Sequence, residues 1–187
     1  MTEIDPLADR EREKYRKMWS IKSYRETSPG LNVAPLALEK LGMRAGDSVL
    51  DFGCGEGLAI DWFEERDISA MGVDIVSLRP DIVEGCLWSL PENLTPADFV
   101  FCADVLEHIP EEKVDAVLRA IFDHADQGAF MTVATIGCIH GIRHGEVLHL
   151  TVKPIEWWAD KIQALWPKVE IGRGDKSWRF WIATGKQ

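Results

Sequence analysis

Between Val49 and Gly57 the chain reads VLDFGCGEG, a hydrophobic run that meets Asp51 and then places glycine at every second position, Gly53, Gly55 and Gly57. A glycine turn after a strand lets the backbone approach a ligand, and the helix that follows offers free N–H groups. A dinucleotide-binding turn would read G-x-G-x-x-G and aim its helix at a pyrophosphate. Here the third glycine arrives one residue early, and Glu56 stands where a phosphate would be repelled. A ligand without phosphates suits this spacing better. Asp74 closes the run SAMGVD 21 residues after Gly53. An acid at the end of a second strand can hydrogen-bond both hydroxyls of a ribose. A helix N-cap is its plainer role, and the glycine loop upstream tips the balance towards ribose.

A second group lies in residues 137–150, GCIHGIRHGEVLHL, which carries His140, His144 and His149 with Arg143 and Glu146. One histidine can serve as a general base or bind an acceptor, with Arg143 anchoring an anionic substrate. The plainer alternative is a polar loop whose histidines bond to the backbone. Metal ligation by the three is a further option, but their spacings match no common site, and no resident metal is expected. His108, in VLEHIP, reads as structural, capping the next helix or orienting a pocket. The four cysteines are widely spaced, form no C-x-x-C pair and lie mostly in or beside apolar runs, which argues against a zinc site or disulfide framework.

The elements that must position these residues follow from periodicity. Residues 8–20 read as a charged helix, and LNVAPLALEKLG as a helix closed by Gly42. SVLDF, SAMGVDI, PDIVEG, ADFVFCADV and GAFMTVATI read as buried strands. Helices over LAIDWFEERD and PEEKVDAVLRAIFDHA alternate with them. Continuous apolar strands alternating with helices indicate a parallel sheet covered on both faces. After a helix over KPIEWWADKIQALW come KVEIG and SWRFWIAT, joined by the short RGDK. So short a link makes an antiparallel hairpin. Trp157 and Trp158 face different directions on their helix, and Trp178 and Trp181 are expected on opposite faces of one strand. The fold class is therefore α/β, a Rossmann-like doubly wound sheet, mostly parallel, with a C-terminal antiparallel hairpin.

The bulk composition is that of one globular domain: 187 residues, 46% hydrophobic, 28% charged. No run is long and apolar enough to span a membrane, and the charged N-terminus lacks a signal-peptide centre, so a cytoplasmic location is expected. A net charge of −10 makes duplex nucleic acid an unlikely substrate and favours a small molecule. Oligomeric state is left open.

VLDFGCGEG, GVDI, VEGCLWSLP and ADFVFCADVLEHIP occur in the order and spacing of the class I S-adenosylmethionine-dependent methyltransferases, which the chain resembles over residues 29–187. The terminal hairpin is similar to the reversed seventh strand of that fold, and MWSIKSYRETSPG and LHLTVKPIEWW resemble a small bacterial and phage subgroup. The resemblance implies S-adenosyl-L-methionine as cofactor and methyl transfer to an O, N or C atom of a small molecule such as a sugar, a nucleotide-sugar or another metabolite. It implies that Asp51, Gly53, Cys54 and Gly55 border the methionine part, that Asp74 holds the ribose and that Ile75 covers adenine. Cys86 stands where the family often has an acid for the adenine amino group, leaving Leu87 and Trp88 to read the base. Ala103 and Asp104 would lie under the sulfonium. Residues 1–28 would form an N-terminal helix and lid-like segment, in which Tyr24 and Arg25 either close on the cofactor carboxylate or belong to a surface linker. Two rivals remain: a methyltransferase-like binding or regulatory domain without turnover, and a nicotinamide- or flavin-dependent oxidoreductase.

Overall fold

The computed structural model describes residues 5–25 and 28–186, with His140 described in its backbone only. Seven strands form one sheet: β1 (Ser48–Phe52), β2 (Ser69–Asp74), β3 (Ile82–Glu84), β4 (Ala97–Ala103), β5 (Ala125–Ala134), β6 (Lys168–Arg173) and β7 (Arg179–Gly185). Their spatial order is β3-β2-β1-β4-β5-β7-β6. The first five run parallel, while β7 lies antiparallel to both β5 and β6. The expected doubly wound sheet with a reversed hairpin is thus the fold. Strand order reverses between β1 and β4, and the carboxyl ends at such a switch point splay into a crevice.

Among the described residues, seven α-helices accompany the sheet: α1 (Pro6–Trp19), α2 (Lys22–Arg25), α3 (Pro29–Leu41), α4 (Leu58–Glu64), α5 (Val114–His124), α6 (Ile139–Arg143) and α7 (Ile155–Gln163). The two-residue period of a strand divides the core. From β4, Phe99 and Phe101 join Ala34 and Ala37 of α3 and Phe63 of α4 on one face. Val100 and Cys102 face the other way, towards Val117, Leu118 and Ile121 of α5 and Trp158 of α7. Each large side chain buried here contributes about 1.5–3 kcal/mol. Caps set the helix ends. Asp5 accepts hydrogen bonds from the N–H groups of Leu7 and Ala8 at the start of α1, and Gly42 ends α3 with φ +66°.

Two local details differ from the sequence expectation. The stretch 137–150 is not all loop, because its middle coils into α6. Trp178 precedes β7, its carbonyl accepting from Thr135, so it does not share a strand with Trp181. Trp181 stacks on Phe130 with ring centroids 6.4 Å apart. Among the described residues no helix is long and apolar enough to cross a membrane.

Candidate functional site

Two adjoining cavities follow the carboxyl ends of β1, β2, β4 and β5. The smaller, about 110 Å³, is walled by Ile75, Leu87, Trp88, Val105 and Ile109, with Asp74 at its edge. The larger, about 380 Å³, reaches from Asp51 and Cys54 past Ala103 to Glu107, Ala134, Cys138 and His149. Trp19, Tyr24, Gly53, Asp104 and His108 line both.

The glycine turn forms their common floor. Gly53 and Gly55 take φ +80° and +56°, conformations that side chains disfavour. A Cβ on Gly53 would lie 2.3 Å from Val105, and one on Gly55 2.8 Å from the Trp19 ring. The bare backbone is therefore needed both for the turn and for the close approach of the walls. Asp74, only 7% exposed, accepts hydrogen bonds from the Gly55 N–H (2.9 Å) and the Val76 N–H (3.1 Å). It clamps the glycine turn to the end of β2, a role that spacing alone does not reveal. Burial raises its pKa against the lowering effect of those N–H groups. Burial also pushes the Asp51 carboxyl up to about 8, with the nearby Asp74 adding to it. Burial raises the Cys54 thiol in the same way. This floor favours a ligand that brings positive charge.

The remaining expected cofactor residues fall in different places. Ala103 and Asp104 end β4 at the junction of the cavities. Asp104 adopts φ +53°, accepts from the Thr132 hydroxyl at 2.6 Å and pairs with Arg179 at 2.8 Å. Thr132 and Arg179 were not flagged by any motif, since each reaches Asp104 only through strand pairing. The Trp88 Nε1–H is taken by Asp5 at 2.8 Å, and Trp88 lines the smaller cavity. Arg25 lines the larger cavity with an ion-pair contact to Glu56 at 3.6 Å, and Tyr24 meets Trp19 edge-on. The Trp19 Nε1 is buried without a hydrogen-bond partner at the junction.

Of the three loop histidines, His149 lines the larger cavity, with its Nδ1 on the Ile136 carbonyl. His144 follows α6 as its C-cap and lines neither cavity. His140 lies in α6, and its side chain falls outside the described residues. His108, read from sequence as structural, lies on the wall of both cavities while its Nδ1 meets the Leu148 carbonyl at 3.1 Å and the Tyr15 hydroxyl at 2.6 Å. Burial, and then the charge of His149, push its pKa down to about 3. Glu107 escaped the sequence analysis. It is fully buried, its Oε1 accepts from the Ala134 N–H at 3.0 Å, and its Oε2 has no hydrogen-bond partner among the described residues. The available signal was an acid three residues after Asp104 in an otherwise apolar turn. Burial, with Asp104 adding, lifts the Glu107 pKa well above the carboxylate range. Burial opposes charge on His149, yet Cys138 and Glu107 outweigh it and raise that pKa.

Comparison with known proteins follows this geometry. The sequence model of a family described as "Methyltransferase domain" matches residues 21–168. A ubiquinone biosynthesis O-methyltransferase of Pseudomonas fluorescens (strain SBW25) is 28% identical over 132 residues, covering 59% of this chain and 55% of that protein. One from Marinobacter nauticus is 30% identical over a similar 59% and 54%. The chain thus spans little more than half the length of these curated relatives. Among solved structures, the 1,6-didemethyltoxoflavin-N1-methyltransferase of Burkholderia thailandensis superposes with a TM-score of 0.70 at 16% identity, covering 99% of this chain and 91% of that one. The magnesium protoporphyrin IX methyltransferase of Synechocystis PCC 6803 gives 0.65 at 15% identity, covering 94% and 93%. At these identities the structural likeness speaks for the fold.

Proposed function

The chain belongs to the methyltransferase-domain family, and on that premise we propose that it moves a methyl group from S-adenosylmethionine to an oxygen of a small-molecule acceptor. The single observation carrying this is the continuity of the two cavities across Gly53 and Asp104. One chamber suits a nucleoside, the other an acceptor, and their junction is where a methyl would pass. The residues present fit the cofactor. Asp74 offers a buried carboxylate for the ribose hydroxyls, and Ile75, Leu87 and Val105 give apolar walls for adenine. The raised Asp51 carboxyl stands beside the glycine floor, where a cation would favour its ionised form. Arg25 is placed for the cofactor carboxylate, a group that guanidinium grips well.

When bound, the cofactor supplies a sulfonium-activated methyl. The protein's share is to align the acceptor with that methyl and exclude water. Trp19 and Tyr24 roof the junction, and Ala134, Cys138 and Trp178 shape the acceptor chamber next to Glu107 and His149. Oxygen is favoured as nucleophile by the relatives' name, ubiquinone biosynthesis O-methyltransferase. Their acceptor is not carried over to a chain matching 55% of their length.

Calorimetry with S-adenosylhomocysteine tests the reading. Binding should be stoichiometric and weaken at least about tenfold in Asp74→Ala, which loses a charged hydrogen-bond acceptor. Binding of NAD without S-adenosylhomocysteine would favour an oxidoreductase. Cofactor binding without transfer to any phenol, sugar or other hydroxyl compound in a panel would favour the regulatory alternative.

A further inference from the structure

Glu107, His108 and His149 offer ligand atoms that all lie within 4.8 Å of one another. We propose that these three residues form a binding site for one divalent transition-metal ion of the zinc or manganese class, open to the acceptor chamber.

His108 Nδ1 lies 3.1 Å from the Leu148 carbonyl and 2.6 Å from the Tyr15 hydroxyl. In the tautomer that donates Nδ1–H to the carbonyl, which can only accept, the lone pair is on Nε2. The bond from His149 Nδ1 to the Ile136 carbonyl favours the same tautomer for the second ring, which also hydrogen-bonds the Cys138 side chain, a contact the ion would compete with. Imidazoles that ligate metals commonly tie back their other N–H in this manner. The rings meet edge to face with centroids 4.7 Å apart. Glu107 contributes the third ligand: the Ala134 N–H fixes Oε1, while the fully buried Oε2 has no hydrogen-bond partner among the described residues. A buried carboxylate oxygen without a donor is costly, and a cation removes that cost.

The frame is also built rather than fortuitous. The carbonyl of Glu107 accepts from the N–H groups of Leu150 (2.8 Å) and Thr151 (3.0 Å), and the Thr151 hydroxyl donates to the Ile109 carbonyl at 2.7 Å. These bonds lace the segment carrying His149 to the turn carrying Glu107 and His108. Two ligands about 2.1 Å from a tetrahedral ion lie roughly 3.4 Å apart, so each side chain needs to move by less than about an ångström. Two imidazoles and one carboxylate suit zinc, manganese or ferrous ion better than magnesium or calcium, which prefer all-oxygen shells. Three protein ligands leave an open position. Because all three residues line the larger cavity, that position faces the chamber assigned to the acceptor. An acceptor hydroxyl held there would become more acidic; this consequence, unlike the site itself, rests on the methyl-transfer reading.

The sequence suggests metal ligation only as a minor option for His140, His144 and His149, whose spacings fit no common metal site, and leads to the expectation of no resident metal. The ligands come instead from two segments about forty residues apart.

The test uses tag-free full-length protein stripped with a chelator and titrated with Zn²⁺, Mn²⁺ or Mg²⁺ in competition with a chromophoric chelator. One equivalent of Zn²⁺ or Mn²⁺ should bind and raise the melting temperature, with Mg²⁺ at least about a hundredfold weaker. Glu107→Gln and His149→Gln, close in shape to the native residues, should each weaken Zn²⁺ at least about tenfold. Circular dichroism confirms that they fold. S-adenosylhomocysteine affinity, measured in parallel, should stay within about twofold in both variants. Absence of stoichiometric Zn²⁺ and Mn²⁺ binding, or binding that neither substitution weakens, would overturn the metal site. Loss of S-adenosylhomocysteine binding with intact metal binding in the native protein would overturn the methyltransferase reading instead.

Discussion

Asp51 and Asp74 are acids buried beside a cleft, and their titration has a consequence for stability. Asp51 ionises at about 8 in the folded chain against an ordinary value near 4. Between those values the folded state holds a proton that the unfolded state has lost. Stability is therefore greatest at the acidic end of this window and falls as pH rises towards 8, by up to about 1.4 kcal/mol per unit for one such group. Urea denaturation from pH 5 to 8.5 should show this decline, and Asp51→Asn should reduce it, leaving the part contributed by Glu107, which burial raises in the same direction. Asp98, held low by the hydroxyl of Ser48 and by Gln127, changes charge only below this window and does not mask the effect. The Asp104–Arg179 pair calls for a different measurement. Both side chains are largely buried, at 11% and 15% exposure. Arg179→Met strands the Asp104 carboxylate and should cost about 3 kcal/mol in equilibrium unfolding. Asp74 and the glycines were legible in the sequence because their signal is local spacing. Glu107 and His108 were not, since their surroundings are completed by residues 148–151, some forty positions away.

At the level of elements, the glycine turn and α1 depend on each other. Trp19, at the end of α1, packs against Gly55 where no Cβ fits. Gly55→Ala combines that clash with a strained positive φ, and should reduce S-adenosylhomocysteine affinity more than tenfold while the sheet still folds. Trp19→Ala removes the roof without straining the floor, so it should weaken binding less, chiefly by a faster off-rate seen in stopped-flow displacement. The reversed hairpin has its own tight fit. A Cβ on Gly172 of β6 would lie 2.2 Å from the ring of Trp181 in β7. Gly172→Ala should destabilise by about 1–3 kcal/mol in urea without affecting ligand affinity in the remaining folded protein. The strands and the hairpin were readable from apolar runs and a short link. The turn of helix at α6 was not, because five residues in a histidine-rich stretch carry too little periodicity to separate helix from loop.

Across the whole molecule, two cores on opposite faces share one sheet, and α1 is tied to it from both ends. Asp5 holds Trp88, Tyr15 reaches His108, and Met18 is fully buried. So connected a structure should unfold in one transition, with far-ultraviolet circular dichroism and fluorescence giving the same midpoint. S-adenosylhomocysteine at a hundred times its dissociation constant should stabilise it by about 2.7 kcal/mol. The fold was legible at this scale because the central strands β1, β4 and β5 are strongly apolar and a short link reverses the last pair. The meeting of Trp19 and Trp88 at one chamber was not, since 69 residues separate them in the chain. That meeting also makes the protein its own optical probe. Two of its eight tryptophans line the smaller cavity. A purine stacking between them should dim their emission on arrival and restore it on departure, so that occupancy can be followed in real time without a label.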